Sequence, residues 1–204
     1  MSKNIFIVGN GPVSENISAH VDAADYVVRF NEPKASVGMT GVKTSILFIN
    51  NSDKPMQNRL ENEAYWKSDI VNAAEKIVFV YNRAVIKKYV KPINWHRQLR
   101  GRRADWTRDA FEAYSNVGKY VRALSLQEYE DGYRELGLSD KDAMKKFPST
   151  GYYGIRYVLR EIANDKSQIS ICGFSFEGWA KHSWSEERHW LEKQKNAYNF
   201  KIWP

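Results

Sequence analysis

Cysteine is almost absent from this chain: Cys172 is the only one among 204 residues. A single thiol excludes an intrachain disulfide and any zinc cluster built on several cysteines. It lies in an apolar, strand-like run, which indicates a buried inert thiol rather than a nucleophile. The four histidines show no zinc-like spacing with cysteine or acidic partners, so we predict no metal site.

Long hydrophobic runs are also missing. Hydrophobic residues make up 43% of the chain, which is enough for a sizeable core. No stretch approaches the roughly 18–20 apolar residues that a membrane span needs. The first apolar run leads into a glycine turn and does not resemble a signal peptide. We therefore expect one cytoplasmic domain over residues 1–204.

Acidic residues are outnumbered by basic ones, and the formal net charge is +7. Segment 83–109 contains nine Lys and Arg residues against two Asp residues, so it accounts for the whole excess. Trp95 and Trp106 flank its densest part. Basic residues mixed with tryptophan fit an anionic surface such as a phospholipid leaflet, lipopolysaccharide phosphates or nucleic acid. The alternative is a solvated loop that only increases solubility.

Short runs rich in Ile, Val and Phe alternate with helical patterns. The runs predict buried strands at 4–8, 26–30, 45–49, 77–81, 121–124 and 169–172. Helices are predicted at 14–20, 59–74, 105–120, 126–136, 139–142, 150–164 and 183–198. This alternation predicts an α/β fold with a Rossmann-like, open, mainly parallel sheet and helices on both faces. The polar, irregular range 55–146 is interpreted as containing an insert or lid.

Asparagine follows three of the predicted strands, at the edge where open α/β sheets bind ligands. These residues are Asn10, Asn31 and the pair Asn50 and Asn51. An asparagine amide both donates and accepts, so it can bind a base edge or a ribose hydroxyl without adding charge. Each one taken alone is also a common turn residue.

A glycine turn, Gly9 and Gly11, follows the first predicted strand. Glycine permits a close approach of ligand to backbone, as in the turns that bind dinucleotides. The third glycine of that fingerprint is replaced by Ser14, although Glu32 lies near the distance expected for a ribose-binding acid. The turn alone therefore leaves an ordinary tight turn and a nicotinamide or flavin enzyme both open.

Two further groups of residues suit chemistry on a phosphorylated ligand. Ser149, Thr150 and Gly151 lie at a predicted helix start, where hydroxyls and free amides can bind phosphate or ribose. The alternative is an ordinary helix N-cap. His182 precedes the last predicted helix, and histidine can act as a general base near neutral pH. A surface histidine is the alternative.

Taken in order, these motifs resemble those of bacterial sialyltransferases of glycosyltransferase family 29, with kinship to family 42. The sequences IVGNGP at 7–12, VRFN at 28–31 and GVKT at 41–44 match the long motif. PSTG at 148–151 and ICGF at 171–174 match the short motif, and HSWSEE at 182–187 matches His-x4-Glu. The string HWLE at 189–192 resembles the remaining motif but follows His182 instead of preceding it, so His189 is given no role.

The resemblance implies an inverting transfer of sialic acid, or of the related ulosonate Kdo, from its CMP form to a glycan such as lipopolysaccharide or capsule. It implies no cofactor and no metal. His182 is the expected general base. The expected nucleotide contacts are Gly9, Asn10, Gly11, Asn31, Asn50, Asn51, Ser149, Thr150, Gly151 and Glu187. The partner of the leaving phosphate stays open among Tyr152, Tyr153, Tyr81 and Arg83.

The acceptor is expected to be a lipid-linked or lipopolysaccharide glycan at the inner membrane, met by residues 87–108 within the acceptor-side range 55–146. We also expect segment 83–109 to make peripheral contact with an anionic inner membrane. Two other function classes remain as alternatives. A nucleic-acid-binding protein is favoured by the charge but lacks a recognisable binding motif, so no nucleic acid is expected. An oxidoreductase that uses NAD(P) on a Rossmann-like fold is the other.

Overall fold

The computed structural model describes residues 2–32 and 38–204. In these residues the strands are β1 Asn4–Val8, β2 Tyr26–Phe30, β3 Ile46–Ile49, β4 Lys76–Phe79, β5 Tyr120–Ala123, β6 Gln168–Cys172 and β7 Asn199–Ile202. They form one sheet in the order β5-β4-β3-β2-β1-β6-β7, and every neighbouring pair is parallel. The predicted α/β class with an open parallel sheet is confirmed.

Helices connect the strands. They are α1 Ser18–Asp22, α2 Asp53–Glu61, α3 Glu63–Trp66, α4 Asp69–Ala73, α5 Arg83–Tyr89, α6 Trp95–Gln98, α7 Thr107–Asn116, α8 Leu126–Glu135, α9 Asp140–Ala143, α10 Thr150–Tyr157 and α11 Trp184–Lys195. A π-helical segment, Val158–Ile162, continues α10. Ser125 begins α8 with a reciprocal capping box to Glu128, as its side-chain chemistry predicts.

Alternate residues of the strands pack into cores on the two faces of the sheet. Ile5 and Ile7 of β1 pack with α8 and α10 in a tyrosine-rich core. Phe6 and Val8 point to the opposite face and pack with α1. On that face, β3 and β4 pack against α2, α3, α4 and α7. Because both faces are covered, the central strands β1, β3 and β4 carry continuous apolar runs and not an alternation of apolar and polar residues.

The strand order reverses between β1 and β6. From β1 the chain builds the sheet outward through β2 to β5, and it then returns to place β6 on the other side of β1. In open α/β sheets, ligands bind in the crevice at the carboxyl ends of the strands where the order reverses. The loops after β1 and β6 therefore form the first place to look for a site.

Two local sequence-based predictions are wrong. The single helix predicted at 59–74 is three short helices, because Asn62 accepts from the backbone N–H groups of Ala64 and Tyr65 and so begins α3. Ser68 likewise accepts from the N–H of Val71 and begins α4. The helix predicted at 14–20 is the five-residue α1, Ser18–Asp22, so no helix begins directly after the glycine turn.

Within the range 55–146, the strands predicted at 77–81 and 121–124 are present as β4 and β5 of the sheet. The sequence also predicts no strand at Asn199–Ile202, which forms the edge strand β7. The side chains of β7 are half-buried or exposed, so it lacks the buried apolar run that marks the other strands. It is held by backbone pairing with β6.

Candidate active site

Two loop backbones lie in direct contact where the strand order reverses. The N–H of Gly9 donates to the carbonyl oxygen of Cys172, and that of Gly11 donates to the carbonyl oxygen of Gly173, each at 2.8 Å. A Cβ at Gly9 would overlap the Gly173 carbonyl oxygen, and a Cβ at Gly11 would lie 2.9 Å from it. Both glycines line a cavity at this edge of the sheet. The close approach of the two backbones requires glycine at both positions, whether or not a ligand binds there.

Asn31 directly follows β2 and has φ at +50°, a left-handed conformation that asparagine tolerates better than most residues. Its Oδ1 accepts from the N–H of Asn50 at 2.9 Å, which ties the ends of β2 and β3 together. Within the described residues its Nδ2 has no acceptor, and neither does the side chain of the exposed Asn10. Both asparagines line the same pocket, so these amides are available to a ligand.

Helix α10 begins at this pocket. Ser149 is its N-cap, and its Oγ accepts from the N–H of Tyr152 at 3.0 Å. The N–H groups of Thr150 and Gly151 find no acceptor in the described part of the chain, as is usual for the first turn of a helix. These two donors and the positive end of the helix favour an anion.

Glu187 lies beneath that helix start and is only 2% exposed. Its Oε1 accepts from the Ser149 N–H at 2.8 Å and from the Ser183 hydroxyl at 2.9 Å, and its Oε2 accepts from the Ser149 hydroxyl at 2.6 Å. It does not line the pocket that Asn10 and Asn31 share. Glu187 therefore does not make the nucleotide contact expected from the sequence. It holds Ser149 instead, because both the N–H and the hydroxyl of Ser149 donate to its carboxylate.

Replacing Glu187 by alanine is expected to lower the free energy of unfolding by about 3 kcal/mol, because a buried donor left without its acceptor costs about 1–3 kcal/mol. Glu187→Gln keeps the shape and one of the two acceptor oxygens, which is enough for two of the three hydrogen bonds, and is expected to cost about 1 kcal/mol. Urea unfolding measures both values. Glu192→Gln, on the exposed side of α11, is the matched control. A Glu187→Ala protein as stable as the control would contradict this role.

Burial also raises the pKa of the Glu187 carboxyl above its usual value. Folding therefore favours the protonated form. The stability that it contributes is complete below the unfolded pKa and is lost as pH rises through the folded pKa. We expect wild-type stability to fall over that window relative to Glu187→Gln, and parallel pH curves for the two proteins would refute this.

His182 is held in a fixed orientation beside the pocket. Its Nδ1 lies 2.7 Å from the carbonyl oxygen of Phe147, and its backbone N–H donates to the carbonyl oxygen of Trp179 at 2.9 Å. The rings of Trp179 and Trp184 meet the imidazole edge-on at centroid distances of 5.0 and 4.7 Å. Because a carbonyl oxygen only accepts, Nδ1 carries the proton, and the neutral ring has its lone pair on Nε2.

One cavity of about 310 Å³ brings most of the expected residues together. Its walls include Gly9, Asn10, Gly11, Asn31, Ser149, Thr150, Gly151 and His182. These residues come from the ends of β1 and β2, the start of α10 and the loop before α11. The cavity combines amide donors, a helix start and an oriented imidazole.

The two asparagines after β3 do not share this cavity. Asn51 is fully buried: its Nδ2 donates to the Tyr81 carbonyl oxygen at 2.8 Å and to the Thr107 hydroxyl at 3.1 Å, while its Oδ1 accepts from the Tyr81 N–H at 3.0 Å. These bonds keep it away from any ligand, in contrast to the expected nucleotide contact. Asn50 lines a second cavity, and its Oδ1 accepts from the N–H and hydroxyl of Ser52.

The second cavity has a volume of about 640 Å³ and shares none of its described lining residues with the first. Phe147 and Trp179 line it, and these are the residues that hold His182. Tyr81 is the candidate for the leaving phosphate that faces it. The other three are committed elsewhere: Tyr152 and Tyr153 donate to backbone carbonyls in the core, and Arg83 pairs with Asp105. Burial raises the pKa of Tyr81, so its hydroxyl stays protonated.

Arg29 of the VRFN motif is fully buried and lies on the α1 face of the sheet. Its guanidinium donates to the carbonyl oxygens of Lys43 and Gly41 and to the Thr40 hydroxyl, each at 3.0 Å. Burial lowers the pKa of Arg29 to about 10, so it remains charged at neutral pH. Its role is to hold the GVKT loop, which explains why these two parts of the long motif occur together.

Aromatic residues also line the first cavity, and sequence reasoning did not assign them. Phe174 packs edge-on against Phe30 at a centroid distance of 5.7 Å and adjoins Phe176. Phe174 follows Gly173 within the short motif, a signal that could have identified it. Phe176 adopts φ of +52°, which no feature of its sequence neighbourhood indicates.

In residues 2–32 and 38–204, no three His, Cys, Asp or Glu side chains are grouped closely enough to hold a metal ion. In the same residues no helix has the length and apolar character needed to cross a bilayer.

Comparison with known proteins gives one sequence relative and a set of similar folds. No protein-family model matches the sequence. The chain is 27% identical over 190 residues to the urease operon 23 kDa accessory protein of Rhizobium meliloti (strain 1021), covering 92% of this chain and 87% of that one.

Solved structures of sialyltransferases resemble this fold. A mammalian sialyltransferase matches with a TM-score of 0.57 at 12% identity, covering 99% of this chain and 69% of that one. The α-2,3-sialyltransferase of Campylobacter jejuni in apo form matches with a TM-score of 0.54 at 17% identity, covering 99% of this chain and 75% of that one. CstII of Campylobacter jejuni, in complex with cytidine-5'-monophosphate, matches with a TM-score of 0.51 at 17% identity, covering 98% of this chain and 79% of that one. The chain therefore has the sialyltransferase fold.

Proposed function

We propose that this protein is an inverting glycosyltransferase that moves sialic acid or Kdo from a CMP-sugar to a glycan hydroxyl, with His182 as the general base. The observation that carries the proposal is the single cavity, at the reversal of strand order, that joins free asparagine amides, the start of α10 and the oriented imidazole. The shared fold agrees with it.

The donor is assigned to the smaller cavity. The free amide of Asn10 and the free Nδ2 of Asn31 suit the uncharged cytosine and ribose, which present both donors and acceptors. The N–H groups of Thr150 and Gly151 suit the phosphate, whose negative charge the helix start stabilises without a metal. A similar fold has been solved with CMP, which supports this donor class.

Transfer then requires the movement of one proton. The acceptor oxygen attacks the anomeric carbon of the ulosonate, the bond to the phosphate oxygen breaks, and CMP departs with the bonding electrons. The hydroxyl proton passes to Nε2 of His182, which the Phe147 carbonyl leaves as the basic nitrogen. The departing phosphate is proposed to stay hydrogen-bonded to the N–H groups of Thr150 and Gly151, because Tyr81 lines the other cavity.

Release of CMP from CMP-Neu5Ac and from CMP-Kdo, measured with a panel of glycan acceptors, tests the activity. We expect acceptor-dependent release from one of the two donors and no requirement for an added metal or cofactor. Tighter binding of NAD(P) than of CMP would favour the oxidoreductase alternative. Binding of nucleic acid without binding of CMP would favour a nucleic-acid-binding protein. The Rhizobium relative is described as an accessory protein of a urease operon.

Peripheral contact with an anionic membrane is proposed for a smaller part of 83–109 than its composition suggests. Trp106 is buried, and Arg83, Arg102 and Arg103 are paired with Asp residues. The part that combines exposed basic residues with large exposed apolar ones is α6 and its C-terminal neighbours, where Trp95 is 63% exposed and Leu99 76% exposed. Exposed apolar residues between arginines suit an anionic lipid surface, where each basic residue contributes about 1 kcal/mol.

We expect the protein to sediment with phosphatidylglycerol vesicles and to be released by rising salt. A Trp95→Ala/Leu99→Ala protein is expected to bind several-fold more weakly, whereas Val117→Ala, at an exposed apolar residue after α7, is expected to bind as wild type. Sedimentation that neither salt nor the double substitution changes would argue against this surface.

A further inference from the structure

Three lysines from separate segments surround the larger cavity. Lys91 precedes α6, Lys145 follows α9 and Lys181 adjoins His182, and all three are exposed. In the described part of the chain none of the three forms an ion pair, whereas the neighbouring Lys146 pairs with Glu186 at 2.6 Å. Three cations therefore line one concave surface and none is bonded to a carboxylate of the described residues, although hydrogen bonds with Ser139 and the charge of Lys145 lower the pKa of the nearby Asp142.

The acidic residue in the described wall of this cavity is already neutralised. Both carboxylate oxygens of Asp53 accept from Arg102, at 2.8 and 2.7 Å. The hydrogen bond from Arg102 lowers the pKa of Asp53, so both groups stay charged and each neutralises the other. The field of the three lysines is left in place, and a concave low-dielectric wall concentrates it.

The position of the cavity relative to His182 indicates what it holds. Phe147 and Trp179 line the cavity and hold the imidazole, so a group bound there lies beside the proposed base. Their rings stack at 6.0 Å with an interplanar angle of 22°, and Trp179 is about half exposed. An exposed indole face offers an apolar surface with a polar edge.

We propose that the larger cavity binds an acidic acceptor saccharide, whose phosphate or carboxylate is held by Lys91, Lys145 and Lys181. The acceptor role rests on the proposed function, whereas anion binding in the cavity does not. The donor's own carboxylate needs one cation, and three from separate segments exceed that requirement. The phosphate of CMP already has donors in the smaller cavity.

Binding of acidic and neutral saccharides to the full chain, without nucleotide, tests the anion site on its own. The carboxylate arm compares sialyllactose with lactose, and the phosphate arm compares phosphorylated galactose with galactose. Titration followed at the Trp179 indole signal is expected to give at least tenfold tighter binding of the acidic member in one arm, weakening as salt rises. Equal affinity within both pairs would overturn the proposal.

The Lys91→Gln/Lys145→Gln/Lys181→Gln protein tests the acceptor role. We expect the KM for the preferred acidic acceptor to rise at least tenfold, while kcat and the CMP affinity stay as in wild type. The matched control is Lys87→Gln/Lys141→Gln/Lys193→Gln, which removes the same charge from exposed residues outside the cavity. It is expected to leave the KM for the acceptor unchanged.

The remaining outcomes separate the two proposals. A rise in the KM for the CMP-sugar, with that of the acceptor unchanged, would show that the lysines hold the donor and would overturn the acidic-acceptor assignment. Selective, lysine-dependent binding of acidic saccharides by a protein that does not bind CMP would refute the transferase and retain the anion site.

Discussion

His182→Ala is expected to lower kcat for sugar transfer by about 10²–10⁴-fold, the contribution of a positioned general base. The substitution removes Nε2, to which the acceptor proton passes, and leaves the asparagine amides and the start of α10 in place. The affinity for CMP is therefore expected to stay within about threefold of wild type, since the base acts on the acceptor and not on the nucleotide.

The matched control is His189→Ala, on the exposed side of α11. It is expected to retain wild-type kcat. Steady-state CMP release gives the rates, and thermal unfolding shows whether loss of the bond to Phe147 has affected folding. A His182→Ala protein that is folded and transfers as fast as wild type would show that another group takes the proton.

Gly9→Ala is expected to lower the free energy of unfolding by about 3 kcal/mol, at the upper end of the cost of inserting a methyl group into a packed interior. The new Cβ would overlap the carbonyl oxygen of Gly173, which is backbone and cannot rotate away. The loops after β1 and β6 would have to separate, so CMP binding is expected to be lost as well.

Gly118→Ala is the control for backbone conformation alone. Gly118 has φ of +78° and open space where a Cβ would lie, so alanine there is expected to cost about 1 kcal/mol. Urea unfolding of the two variants separates steric overlap from conformational strain. Equal losses in both, with CMP binding retained in Gly9→Ala, would contradict the close packing of the two loops.

The sheet and one edge of the site could be predicted because the local pattern of apolar and polar residues indicates both. Buried runs such as that of β1 mark the strands, and polar residues directly after them must lie at the carboxyl edge of a parallel sheet. Asn10, Asn31 and the start of α10 lie together for this reason. Edge strand β7 has no buried run, and only its pairing with β6 identifies it.

The direction of a single polar side chain depends on partners far along the chain. Asn51 and Asn50 are neighbours in sequence, yet Asn51 turns inward because the Tyr81 backbone, 30 residues away, supplies both a donor and an acceptor. Glu187 is buried by the backbone and hydroxyl of Ser149, 38 residues away. Neither partner is visible in the local sequence, so both residues were assigned to the nucleotide.

The most direct test of the central claim, that the cavity beside β1 and β6 binds CMP, is a calorimetric titration of CMP into the wild-type and Asn10→Ala proteins. Asn10 makes no hydrogen bond within the described residues, so its removal takes nothing from the fold. We expect one site per chain with a Kd below about 1 mM, and at least tenfold weaker binding by Asn10→Ala, a loss of about 1.4 kcal/mol. No saturable binding of CMP, or equal binding by the two proteins, would contradict the claim.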